Sequence, residues 1–174
     1  MCGIWALLGL SDEDVRKRCA ECFNICHRGP DASRIETIPD IPNSCLGFQR
    51  LRINGLVKGM QPMRLFALPH IWLLYNGEIY NAFTMRDQYG FQLDTECDGE
   101  IIIHLYERFG AETMARMLDG VFAFIVVDTK KNQVHLGRDI FGVRPMFTFN
   151  SQGKVKQKTS HGCCIVVILE QLWS

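Results

Sequence analysis

The sequence predicts an α+β fold in which two packed sheets lie between layers of helix. Three observations carry this reading. The strand-like runs at residues 71–75 and 121–128 are apolar on both faces, as expected of sheets covered on both sides. These short runs are interleaved with a few helical stretches rather than segregated from them. Lys130-Lys131-Asn132 reads as a hairpin turn joining 121–128 to a partner at 133–137, so the pairing is largely antiparallel. With 174 residues, 47% of them hydrophobic and 22% charged, the chain can bury one substantial core, and a single domain is expected.

The elements follow in order. Residues 4–10 read as a buried first strand. A signal-peptide reading fails because no basic residue precedes the run and Ser11-Asp12-Glu13-Asp14 follows it directly. Ser11-x-x-Asp14 is a capping pattern that opens a helix, and Val15, Cys19, Cys22, Phe23 and Cys26 share one apolar face of it. That spacing favours buried thiols over a zinc site for Cys19-Ala20-Glu21-Cys22. A haem attachment site fails because Cys22 to His27 carries one residue too many. The Gly29-Pro30 pair in His27-Arg28-Gly29-Pro30-Asp31 ends the helix in a tight loop, and residues 35–43, with Pro39 and Pro42, read as a surface turn. A strand follows at 44–51, where Gly47 implies close backbone approach. The strand 71–75 leads into an Asn76-Gly77-Glu78 turn and a helix at 80–89. Asp98-Gly99-Glu100 caps another helix that turns Ile101, Ile102, Leu105, Tyr106 and Phe109 inward and ends at Gly110. A short helix at 112–118 precedes the strand 121–128. Beyond residue 150 the pattern weakens, although the β-rich run 163–169 is expected to fill a strand position.

Lysine plus arginine and aspartate plus glutamate each number 19, so the net charge is zero and no basic stripe points to nucleic acid or to an anionic membrane. Eight cysteines without a secretory signal fit a reduced, cytoplasmic setting. The chemistry starts at Cys2. Removal of Met1 would place a thiol, titrating near ~8.5, and an α-amine, near ~7.7–8.0, on one residue, so that nucleophile and base coincide. Asn76 and Gly77 offer a side-chain and a backbone N–H to a developing oxyanion. Arg50, at a strand end, can clamp a carboxylate; Asp98 can take an ammonium, with Glu78 as a polar neighbour. Singly, each has an ordinary reading as a strand-end charge, a turn or a helix cap.

Together the motifs are more specific. Met1-Cys2-Gly3-Ile4-Trp5-Ala6-Leu7, His27-Arg28-Gly29-Pro30-Asp31, Gly59-Met60-Gln61-Pro62, Tyr75-Asn76-Gly77-Glu78-Ile79-Tyr80-Asn81, Asp98-Gly99-Glu100, Leu118-Asp119-Gly120-Val121-Phe122-Ala123-Phe124 and Gly137-Arg138-Asp139 with Gly142-Val143-Arg144-Pro145 are in the order and spacing of a known family. Over residues 1–149 the chain resembles the glutaminase domain of the glutamine-hydrolysing asparagine synthetases, within the N-terminal-nucleophile (class II) glutamine amidotransferases. The resemblance implies a four-layer α/β/β/α sandwich, incomplete at its C-terminal end. It implies that Cys2 attacks the glutamine amide, that a thioester forms and ammonia leaves, and that Asn76 and Gly77 form the oxyanion hole. It further implies that Arg50 and Asp98 hold the substrate's α-carboxylate and α-amine while Leu51, Arg52, Ile53, Asn54 and Glu78 line the pocket. Here Arg52-Ile53-Asn54-Gly55 departs from the small apolar residues and aspartate usual in the family.

Neither metal nor cofactor is expected in this chain. The resemblance places ATP and magnesium in a synthetase domain whose Ser-Gly-Gly-x-Asp-Ser loop does not occur in this sequence. Residues 150–174 read as a divergent tail replacing the rest of the glutaminase domain and that synthetase domain. The alternative expectation is a catalytically silent truncated form acting through full-length subunits.

Overall fold

β1 (Gly3–Leu8) is buried along its whole length, and its alternation sets the layering. In the computed structural model, which describes residues 2–51, 59–150 and 165–169, Ile4, Ala6 and Leu8 face a second sheet, whereas Trp5 and Leu7 face the helix α1 (Asp12–Cys22). The first sheet contains β1, β2 (Ala32–Glu36), β3 (Cys45–Arg50), β8 (Phe147–Asn150) and β9 (Ile165–Leu169), in the order β2-β3-β1-β9-β8. The second contains β4 (Met63–Leu65), β5 (Leu68–Ile79), β6 (Gly120–Asp128) and β7 (Gln133–Arg138), in chain order. Against its outer face pack α2 (Ala82–Tyr89) and α3 (Ile101–Met117).

Period-two alternation makes three cores from two sheets. Trp72, Leu74, Ala123, Ile125 and Val127 meet β1 between the sheets, while Ile71, Leu73, Tyr75, Phe122, Phe124 and Val126 turn toward α2 and α3. The result is the expected helix, sheet, sheet, helix order. Gly47, opposite Trp5 in the β1–β3 register, is a close approach as expected: a Cβ there would overlap the indole. Gly110 breaks α3 with φ 78° and ψ 170°, giving the two helical pieces expected on either side of it.

Four local expectations are corrected. The chain beyond Cys22 tightens into a 3₁₀ helix, Phe23–Arg28, which changes the phase of the apolar face. Ile25 therefore packs on the core, and Phe23 and Cys26 are exposed. Residues 35–43 are a surface turn only in part: Pro39, Asp40, Pro42 and Asn43 are exposed in turns, but Ile35 and Glu36 end the edge strand β2, and Ile38 and Ile41 are buried. The Asn76-Gly77-Glu78 segment is not a turn but part of β5, paired with β6 as far as Ile79↔Gly120. Gly77 and Gly120 make that possible, since a Cβ on either would overlap the backbone of the facing strand. Asp98 does not cap α3; residues Asp98–Glu100 form a 3₁₀ turn ahead of it, and the Asp98 side chain bonds elsewhere.

Ile165–Leu169 occupies a strand position between β1 and β8, parallel to both. Among the described residues, no helix is long and apolar enough to cross a membrane.

Candidate active site

Cys2 stands at the start of β1, and its neighbours are fixed by backbone. The Leu51 amide donates to its Sγ at 3.4 Å, and the thiol faces the Leu51 carbonyl at 3.6 Å. Arg50, at the end of β3 and 8% exposed, is held from beneath by the His27-Arg28-Gly29-Pro30-Asp31 loop. Pro30 bridges to Arg50, the Asp31 amide donates to the Arg50 carbonyl at 3.1 Å, and a Cβ on Gly29 would overlap the Gln49 backbone. That motif thus positions Arg50.

The opposite wall comes from β5. Asn76 is 4% exposed, and its Nδ2 is buried with no hydrogen-bond acceptor among the described residues. A buried donor without an acceptor costs about 1–3 kcal/mol unless a ligand completes it. Asn81 locks the strand's end by donating to Met117 O at 2.8 Å and accepting the Asp119 amide at 3.0 Å.

Asp98 Oδ2 accepts both the Tyr75 hydroxyl and the Ile79 amide at 2.6 Å. The Tyr75 ring fills the place of a side chain at Gly99, which explains the glycine in Asp98-Gly99-Glu100. Burial first, then the Asp98 charge, push the Tyr75 phenol far above its usual range, so it stays a donor. The loop ahead of Asp98 is tied by Glu100, a fully buried carboxylate that accepts the amides of Asp94 (2.7 Å) and Thr95 (2.6 Å) and contacts His104 Nε2 at 3.2 Å. Burial works against the Glu100 charge, but His104, Thr95 and Asp94 outweigh it and hold its pKa below the usual carboxylate value.

These walls enclose a cavity of about 550 Å³. Of the residues singled out from the sequence, Cys2, Arg50, Leu51, Asn76, Gly77, Glu78 and Asp98 all line it, with Glu78 exposed at the rim. Arg52, Ile53 and Asn54 lie outside the described residues, as does Met1. Among the described residues, no group of three or more His, Cys, Asp or Glu side chains is arranged to hold a metal ion.

The cavity also recruits residues to which the sequence reading gave no role. Gln61 accepts the Tyr75 amide at 2.6 Å through its side chain, completing the β5 edge beyond short β4. Arg144 is brought in by Asp139, which is 4% exposed and accepts the amides of Val143 (3.0 Å) and Arg144 (3.2 Å). Both lie in motifs visible in the sequence, but only tertiary contacts show what they do. Cys97 is a second thiol on the wall; burial and then Asp98 push its pKa up to about 11, so it is protonated at neutral pH and does not compete as a nucleophile.

Comparison with known proteins places this arrangement. A family described as "Glutamine amidotransferase domain" matches residues 1–165. Glutamine-hydrolyzing asparagine synthetase of Gallus gallus is 52% identical over 147 residues, which is 84% of this chain and 26% of that protein. The Homo sapiens protein of the same name is 50% identical with the same coverage. The chain therefore spans about a quarter of the length of these relatives. Among solved structures, glutamine phosphoribosylpyrophosphate amidotransferase from B. subtilis superposes with a TM-score of 0.63 at 19% identity, over 83% of this chain and 38% of that one, a likeness of fold.

Proposed function

Because the chain belongs to the family of glutamine amidotransferase domains, we propose that its cavity hydrolyses glutamine to glutamate and ammonia, as the glutaminase part of asparagine biosynthesis. The observation that carries the reading is the buried, unsatisfied Asn76 Nδ2 in the same cavity as Cys2, Arg50 and Asp98. A polar donor awaiting an oxygen, in a cavity that also holds a thiol, guanidinium groups (Arg50, Arg144) and carboxylates (Asp98, Glu78, Glu96), matches an α-amino acid with a side-chain amide.

In this mechanism the Cys2 α-amine, freed by removal of Met1, accepts the thiol proton as Sγ attacks the amide carbon. Asn76 and Gly77 donate to the resulting oxyanion. The amine returns the proton to the departing nitrogen, ammonia leaves, and a γ-glutamyl thioester remains. Water, deprotonated by the same amine, then cleaves the thioester to glutamate and restores the thiol. Arg50 binds the α-carboxylate and Asp98 the α-ammonium; Tyr75 and Ile79 fix the Asp98 carboxylate from behind. Arg52, Ile53 and Asn54 complete the pocket beside Leu51. No cofactor enters these steps. The ammonia is destined for a synthetase half that uses ATP and magnesium, with full-length synthetase subunits as the candidate partner; the relatives' name, glutamine-hydrolyzing asparagine synthetase, supports the coupling of the two activities. We assign the reaction to the cytoplasm; the six cysteines among the described residues are all thiols.

The test is glutamate release from glutamine by the purified chain, with intact mass to establish loss of Met1 and Cys2→Ala as the blank. Release that depends on Cys2 supports the reading. Soluble, folded, Met1-processed protein that releases none sinks it. A non-removable residue placed before Cys2 is expected to abolish release without changing the circular dichroism spectrum.

A further inference from the structure

Three thiols that the amide chemistry does not use gather beneath α1. Cys45 opens β3 opposite Leu7 of β1 and is buried, Cys22 ends α1 and is buried, and Cys19, one helical turn earlier, is half-buried. The Sγ atoms of Cys19 and Cys45 lie 4.0 Å apart although the residues are 26 positions apart in the chain. We infer that Cys19 and Cys45 form a redox modification site, a dithiol that closes to an intramolecular disulfide by exchange with a small disulfide such as glutathione disulfide and fastens α1 to the β1–β3 pair.

The geometry favours this pair over the other cysteines. A disulfide needs sulfurs about 2.0 Å apart, so each sulfur must move by about 1 Å, within reach of side-chain rotation at the half-buried Cys19 without unpairing β3. Cys19 and Cys22, by contrast, lie on successive turns of the same helix, where a bond would fasten nothing to the sheet. Cys26 is turned out to solvent by the 3₁₀ segment.

Exchange proceeds in two balanced steps. The Cys19 thiolate attacks glutathione disulfide, forming a Cys19–glutathione bond and expelling one glutathione thiolate. Cys45 then gives up its proton and attacks the Cys19 sulfur, expelling the second glutathione. Two cysteine thiols have been oxidised, and one glutathione disulfide has been reduced to two thiols. Burial, then Cys19 and Cys22, push the Cys45 thiol up to about 12, so it does not react with reagents from solution and enters only after Cys19 has been activated. The same property slows reversal. A reductant attacking the accessible Cys19 sulfur must expel Cys45 as a poor leaving group, so the bond resists reduction once made.

The experiment uses the full chain, reduced and then incubated with glutathione disulfide, quenched in acid, alkylated, and read by intact mass and unreduced peptide mapping. The expected result is a chain carrying two alkyl groups fewer than the fully reduced and alkylated control, a Cys19–Cys45 linked peptide, and a Tm higher by roughly 5–10 °C. The link is lost in Cys19→Ser and kept in Cys26→Ser. Stable glutathione adducts without a link, a Cys19–Cys22 bond, or a link that forms only in denaturant would each overturn the proposal. If Cys19→Ser does not fold, the wild-type peptide map decides alone.

Discussion

Replacing Tyr75 with phenylalanine tests whether the Asp98 carboxylate is held in place for substrate. The substitution removes one hydroxyl and keeps the ring that packs on Gly99, so no cavity opens in the core. What is lost is the 2.6 Å hydrogen bond to Asp98 Oδ2, while the Ile79 amide remains on the same oxygen. A hydrogen bond to a charged group contributes about 1.5–3 kcal/mol. Asp98 lines an open cavity, so water recovers part of this, leaving a cost of about 1–2 kcal/mol. If the carboxylate binds the glutamine ammonium, that cost appears in ground-state and transition-state binding alike. KM for glutamine then rises by roughly 5–30-fold, while kcat stays within about threefold because Tyr75 touches no reacting atom. The assay is steady-state glutamate formation across a glutamine series, with Tm measured in parallel. A fall in kcat at unchanged KM would place Tyr75 in the chemistry. No change in either would show that Asp98 needs no support. Both results refute the reasoning.

Other outcomes follow from the same geometry. Asn76→Ala removes the candidate oxyanion donor, and kcat is expected to fall by about 10²–10³-fold with KM little changed; a loss confined to KM contradicts the assignment. Gly47→Ala forces a methyl into the Trp5 indole between paired strands and is expected to destabilise by about 1–3 kcal/mol in chemical denaturation, whereas an unchanged midpoint would mean that the two strands separate freely. Asp128 is fully buried and accepts the Tyr106 hydroxyl at 2.8 Å and the amides of Lys130 and Lys131 at 3.0 and 2.9 Å. Burial opposes its charge, yet the Lys131 amide, Tyr106 and the Lys131 ammonium outweigh that and hold its pKa below 3.8. A carboxyl with a depressed folded-state pKa stabilises above its unfolded value and loses that contribution as pH falls through the folded one. The stability gap between wild type and Asp128→Asn is therefore expected to shrink as pH falls below about 4; a gap unchanged across that range would refute this.

Strand alternation made the layers legible, because Ile71 to Tyr75 and Val121 to Asp128 carry apolar residues at both parities and can only be buried on both sides. What the sequence concealed was decided by partners far along the chain. Asn76-Gly77 is a strong local turn signal, yet Gly120 faces the same segment and lets the strand continue. Asp98 has the position of a helix cap, but Tyr75 and Ile79 compete for its oxygen and win. Ala32–Glu36 is mixed in polarity and nowhere fully buried, so nothing local marks it as a strand; the β3 edge imposes it. The residues proposed for the site could be singled out only as a set of motifs, since each alone has an ordinary reading, and the structure gathers seven of them around one cavity. Gln61 and Arg144 were present in the same motifs, but their roles depend on contacts that no local pattern encodes.

The pairing of Ile4 with Ile165 ties the strand that follows Cys2 to a segment more than 150 positions along the chain. Loop closure over such a span costs more entropy than a local hairpin, and pairings of this kind slow folding. During synthesis β3 can join β1 early, but the other edge of β1 stays an open template until residues 165–169 arrive. Competition for that edge, from a second copy or a wrong strand, is then set by elongation time rather than by native stability. For this domain, the interval between the synthesis of β1 and that of β9 sets how long the edge stays open to a wrong partner.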